Sequence, residues 1–126
     1  MLRRGLIVNA LAAVIASDAA GAGHVALIYV GGWDCGPCLA WKRNRKPEWI
    51  ASEEYTKVRY IEIESPRLKE AYEPRYWPRE WHWVLDQLPQ KRGTPRFLVV
   101  KDRTVIANHF GTGKWQDVLE AVRRNA

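Results

Sequence analysis

Two cysteines are all that the 126-residue chain holds, and they stand together as Cys35 and Cys38. A small domain stapled by disulfides uses more cysteines and closes longer loops. So short a loop gives little entropic stabilisation. A disulfide scaffold is therefore excluded, and the pair reads as chemical. Histidine is nearly as sparse. His24, His82 and His109 are scattered, none at ligand spacing from the cysteines, so no closed four-ligand zinc site is visible. Each histidine reads as structural. Repeats, linkers and low-complexity segments are lacking. No RNA- or DNA-binding motif accompanies the net charge of +6, which reads as a basic, soluble surface.

Long hydrophobic runs are also lacking. The apolar stretch from Gly5 to Ala16 is too short to span a bilayer comfortably. It follows the positive head Met1-Leu2-Arg3-Arg4 and precedes the small residues Ala16-Ser17-Asp18-Ala19-Ala20-Gly21-Ala22. This is the layout of a secretory signal. Residues 1–22 are expected to be an export signal and residues 23–126 the folded domain. The competing reading makes the N-terminus an amphipathic first helix packed on a sheet, which would leave the protein cytoplasmic.

The remainder has the length and apolar content for one compact α/β domain. His24 to Val30 is a short apolar run that suits a buried strand, and Gly31-Gly32 ends it. A helix is expected from about Cys35, with Pro37 in its first turn; Pro47 kinks or restarts it, and Glu48 to Tyr55 continues it. Lys57 to Glu64 alternates as a strand. Pro66 to Gln90 is expected to be helical in pieces, broken by Pro74 and Pro78, with its best helix at Trp81 to Leu88. Arg96 to Val100 and Thr104 to Phe110 read as a hairpin about Lys101-Asp102-Arg103. Lys114 to Arg124 is an amphipathic helix with Trp115, Val118, Leu119 and Val122 on one face.

The segment Trp33-Asp34-Cys35-Gly36-Pro37-Cys38 thus follows a buried strand and opens a helix. A thiolate there faces unpaired N–H groups and the positive end of the helix dipole. Both lower its pKa, and the thiolate is the form that attacks a disulfide. A second sulfur one turn along can resolve the mixed disulfide. Cys35 is expected to be the exposed, attacking thiol and Cys38 the deeper, resolving one.

This motif resembles that of the thioredoxin superfamily, whose active site is Trp-Cys-Gly-Pro-Cys after a central strand. A second hallmark matches. Gly93-Thr94-Pro95 precedes the hairpin, where that family places a cis-proline facing the cysteines. The resemblance covers residues 24–126. It implies a thioredoxin-like fold, a central mixed sheet flanked by helices, here with an enlarged helical insert before the cis-proline strand. It also implies thiol–disulfide exchange on protein substrates without a cofactor, by a monomer. Cys35 and Cys38 would carry the chemistry, with Trp33, Gly36, Pro37, Thr94 and Pro95 at the substrate.

Three departures stand out. Asp34 is inserted between the tryptophan and Cys35, and a carboxylate there is expected to raise the thiolate's pKa. The family's buried acid, six residues before the first cysteine, is replaced by Tyr29; Glu62 or Glu64 is the candidate substitute as proton acceptor for Cys38. The insert carries Tyr72, Tyr76, Trp77, Trp81, His82 and Trp83, aromatics that either cover the sheet or form a partner surface. The run Lys42-Arg43-Asn44-Arg45-Lys46 reads as a solvated helix face.

Gly-Pro between the cysteines resembles reducing thioredoxins. With export, a reductase would work in a periplasm or similar oxidising space and draw electrons from a membrane partner. Two other functions compete. A Cys-x-x-Cys pair can hold a soft ion such as Cu(I), which leaves Gly-Pro and Thr94-Pro95 unexplained. A redox-inactive binding module leaves the two cysteines unexplained.

Overall fold

The computed structural model describes residues 24–126. The expected export signal at residues 1–22 lies outside the described residues.

Four strands form one mixed sheet in the order β2-β1-β3-β4. Strand β1 (Ala26–Gly32) is buried along its whole length and pairs in parallel with β2 (Arg59–Ser65). On its other side it pairs antiparallel with β3 (Arg96–Lys101), which forms a hairpin with β4 (Thr104–Phe110). The hairpin turn is made by Asp102 and Arg103, both at positive φ. That backbone matches the twist of the strands it joins.

Alternation along β1 and β3 splits the core into two layers. Leu27, Tyr29, Phe97 and Val99 face one layer, covered by helices α1 (Gly36–Asn44), α2 (Lys46–Ile50), α3 (Glu53–Lys57) and α5 (Trp115–Asn125). Ala26, Ile28, Val30, Leu98 and Val100 face the other, covered by the segment after β2 and its helix α4 (His82–Gln87).

The first layer is an aromatic stack. Trp41 lies nearly parallel to Tyr29 at 5.0 Å between ring centres and meets Phe97 at 5.1 Å and Trp115 at 5.2 Å. Trp49 continues it from Trp115 to Tyr55 and Tyr60. The second layer buries Tyr72, Trp77 and Trp81, so the insert's aromatics chiefly cover the sheet. Arg96, also fully buried, lies over the Phe110 ring at 4.3 Å, donates to Asn108 Oδ1 at 2.9 Å and to the Gln90 carbonyl at 2.5 Å.

Some expectations are corrected. Residues 48–55 are not one continuing helix. Ser52 caps a new turn by accepting from the Tyr55 N–H at 3.2 Å, and this turn runs to Lys57, so β2 starts later than expected. The insert is less helical than expected. Its first part is three 3₁₀ turns, at Leu68–Glu70, Pro74–Tyr76 and Arg79–Trp81. Pro74 opens the second and Pro78 precedes the third, and a proline within a longer helix would remove a hydrogen bond. Lys42 and Lys46 are not merely solvated: Lys42 Nζ lies 2.6 Å from Glu64 and Lys46 Nζ 2.5 Å from Glu62.

Trp41 joins α1 to β1, β3 and α5, so its removal opens the centre of the first layer. Trp41→Ala is expected to cost ~3–5 kcal/mol of stability, read from the urea midpoint of the oxidised protein.

Candidate active site

Two glycines end β1, and neighbouring layers close on both. A Cβ on Gly31 would overlap the Tyr29 hydroxyl and come within 3.1 Å of Cys38 Sγ. A Cβ on Gly32 would meet the Leu68 backbone, 2.6 Å from its Cα. Successive side chains point to opposite faces, so one glycine admits the helix layer and the other the insert.

From this bare strand end the chain turns into α1. Cys35 is the residue that caps the helix: its Sγ accepts the Cys38 N–H at 3.1 Å. Pro37 sits in the first turn, where its missing N–H costs no hydrogen bond. Cys35 and Cys38 form a disulfide with their Cα atoms 5.2 Å apart. When the pair is reduced, the same N–H and the helix start favour a thiolate on Cys35.

The Thr94–Pro95 peptide bond is cis. Thr94 Oγ1 donates to Cys35 Sγ at 3.3 Å, which brings the loop before β3 onto the cysteine motif. The Pro95 carbonyl accepts from Gly111 N–H at 2.8 Å, tying that loop to the end of β4.

One expectation about the cysteines is corrected. Cys35 is as buried as its partner, at 1% exposure against 0% for Cys38. The disulfide draws its sulfur onto the helix, and the Thr94 side chain packs against it. Exposure belongs to the rim instead: Trp33 at 64%, with Asp34, Gly36 and Pro37 also exposed.

Asp34 has a specific partner. Its Oδ1 accepts the Leu68 N–H at 2.7 Å, while Trp33 N–H donates to the Ser65 carbonyl at 2.9 Å. The residue that distinguishes this motif thus ties the cysteine loop to the first turn of the insert. Its charge is partly satisfied there, which weakens its field at Cys35.

Beneath the pair lies a chain of polar groups. The Tyr29 hydroxyl donates to Glu64 Oε2 at 3.3 Å. Tyr60 donates to Glu62 Oε2 at 2.6 Å. Burial and the neighbouring Glu64 hold the Tyr29 pKa far above the usual phenol range, and burial with Glu62 does the same for Tyr60. Burial alone would raise the Glu62 pKa. The bonds from Lys46 and Tyr60, with the charge of Lys42, outweigh it and leave the carboxyl below its ordinary value. Of the two glutamates considered from the sequence, Glu64 reaches Tyr29 and Glu62 serves Tyr60 and the lysines. Sequence reasoning missed that Tyr29 and Gly31 share one face. The alternation of β1 carries that signal, because a glycine two residues on leaves room for the ring to lie along the strand. Of the histidines, His82 makes ring-nitrogen contacts to the carbonyls of Pro74 and Trp77, inside the insert.

The sequence matches no protein-family model and no curated protein. Solved structures do resemble it. A thioredoxin of Fasciola hepatica aligns over 92% of this chain and 94% of its own, at 17% identity and a TM-score of 0.54. Thioredoxin f of spinach chloroplast aligns over 84% of this chain and 80% of its own, at 21% identity and a TM-score of 0.55. The chain has the thioredoxin fold. A thioredoxin of Malassezia sympodialis agrees, covering 83% of this chain and 80% of its own at 17% identity, with a TM-score of 0.54. In this thioredoxin-like domain the cysteine pair opens the first helix after the central strand, and the cis-proline loop meets it.

Asp34→Ala removes the acceptor for the Leu68 amide. Exchange of that amide with deuterium is expected to accelerate, while global stability falls by less than ~1 kcal/mol because the bond is exposed. Amide-resolved hydrogen exchange checks both.

Proposed function

We propose that the protein is a thiol–disulfide oxidoreductase that reduces disulfides of protein substrates through Cys35 and Cys38. The observation that carries this reading is the setting of Cys35 Sγ. It stands at a helix start, accepts the Cys38 N–H at 3.1 Å and the Thr94 hydroxyl at 3.3 Å, and is bonded to a second sulfur one turn away. Two donors aimed at one sulfur stabilise its anion, and that anion is the nucleophile of exchange.

The chemistry follows in two displacements. The Cys35 thiolate attacks one sulfur of a substrate disulfide, forming a mixed disulfide and expelling a substrate thiolate that takes a proton from water. The Cys38 thiolate then attacks Cys35 Sγ, restores the internal disulfide and releases the second substrate thiolate. The substrate gains two electrons and the pair loses two. An external dithiol donor returns the pair to its reduced state.

A polypeptide substrate is favoured over a small thiol by the shape of the surroundings. The sulfurs are buried beneath a rim of exposed Trp33, Gly36 and Pro37, opposite Thr94 and Pro95. An extended peptide lying between Trp33 and the Thr94 loop brings its own disulfide to Cys35. The Gly-Pro dipeptide, which resembles that of reducing thioredoxins, supports the reducing direction.

Cys35→Ser is expected to abolish reduction of insulin disulfides. Cys38→Ser is expected to accumulate mixed disulfides with substrate through Cys35, seen as adducts on non-reducing gels and by mass spectrometry. Adducts trapped by Cys35→Ser instead would reverse the two roles, and full activity in both variants would exclude the reading.

A further inference from the structure

The chain from Leu88 to Pro95 forms neither helix nor strand, yet it carries Thr94 to the cysteine pair. Such a segment has no backbone ladder of its own to fix it, so its carbonyls need other partners. Two buried side chains supply them. Arg96 Nη1 donates to the Gln90 carbonyl at 2.5 Å, and the Tyr72 hydroxyl donates to the Gly93 carbonyl at 2.5 Å. Gly93 takes a φ of +98°, and a Cβ there would stand 2.8 Å from the Phe110 ring, so the loop also lies close against the end of β4.

Arg96 gathers these contacts. Its guanidinium lies 5.5 Å from the centre of the Tyr72 ring and 4.3 Å from that of Phe110, and its Nε donates to Asn108 Oδ1 at 2.9 Å. The residue is fully buried, its hydrogen-bond acceptors are an amide oxygen and a carbonyl rather than a carboxylate, and its Nη2 has no hydrogen-bond partner. A buried cation held in this way is costly, and an apolar side chain of similar volume would cover the sheet at less cost. Packing alone therefore does not explain an arginine here. What arginine adds is a rigid fork that reaches β4 and the loop at once, and a flat face for the rings.

We propose that Arg96 and Tyr72 are positioning residues for the reaction, a clamp on the loop that holds the Thr94–Pro95 wall in place beside Cys35 for the substrate chain. This rests on the oxidoreductase reading above. It gives the insert a part in the chemistry, because the segment that ends in Tyr72 also holds the opposite wall. The Ser65 carbonyl accepts from Trp33 N–H at 2.9 Å, and Leu68 N–H donates to Asp34 at 2.7 Å. Residues 65–72 thus grip the cysteine loop at one end and the cis-proline loop at the other. An extended substrate meets two walls that are already ordered, so the cost of ordering them does not fall on binding.

The test is steady-state reduction of insulin disulfides by the full chain, with dithiothreitol as electron donor and its own rate subtracted. Tyr72→Phe keeps the buried ring and removes only the donor to Gly93. Its KM for insulin is expected to rise at least ~threefold, with kcat changed by less than about twofold, because each substrate chain must then order the loop as it binds. Arg96→Lys keeps a charge but cannot serve Asn108 and the Gln90 carbonyl together, and is expected to raise KM at least as much. Tyr76→Phe is the control: it removes another hydroxyl of the insert, one that donates to Glu70 and not to the loop, and KM is expected to stay within about twofold of native. A native KM in Tyr72→Phe, or an equal rise in Tyr76→Phe, would overturn the clamp. A native chain that leaves insulin disulfides intact would overturn the oxidoreductase reading itself, which separates the two failures.

Discussion

The last two residues of β1 have no side chains, and three separate parts of the molecule meet there. On the helix side of Gly31 lie the Cys38 sulfur and the Tyr29 hydroxyl; on the insert side of Gly32 lies the Leu68 backbone. A methyl group at either position would push back one of the two layers. The approach of α1 to the sheet, the burial of the disulfide and the seating of the insert all depend on that close contact. The cysteines are positioned by packing on a strand end as much as by their own loop.

Electrostatics at this junction is divided between two sides of the sulfur pair. Above, the Cys38 N–H and the Thr94 hydroxyl point at Cys35 and favour its anion. Below, tyrosines, glutamates and lysines form a network in which each carboxylate has both a lysine and a phenol. The pairing allows charged groups to lie partly buried beside an aromatic core without an unpaired charge, which would be costly. It also gives the two sulfurs different surroundings, with donors at Cys35 and the Tyr29 side of Gly31 at Cys38.

Much of this was legible in the sequence. The hairpin was readable to within a residue, because a polar turn separates its two strands; Lys101, expected in that turn, pairs with Thr104 and closes β3 instead. The cysteine helix was readable because Pro37 and the preceding buried run fix its start. Thr94-Pro95 was locatable by resemblance, and its meeting with Cys35 depends on a contact 59 residues apart in the chain. What could not be read follows from tertiary contact. The Ser52 cap competes with strand propensity at Lys57, and local patterns do not rank the two. The burial of Cys35 arises from Thr94 and from the disulfide itself. Asp34, beside the thiol in sequence, is directed to Leu68 by a turn whose place depends on Gly32. Tyr29 looked like the loss of an acid; its hydroxyl instead reaches a glutamate on the neighbouring strand.

The central claim is that this buried pair is a reducing thiol–disulfide centre. Its most direct measurement is the equilibrium reduction potential of Cys35–Cys38 in dithiothreitol or glutathione buffers, with the redox state read by thiol alkylation. A potential near ~−270 mV, in the range of reducing thioredoxins, is the expected result, and a value near ~−120 mV, that of a strong oxidant, would contradict it.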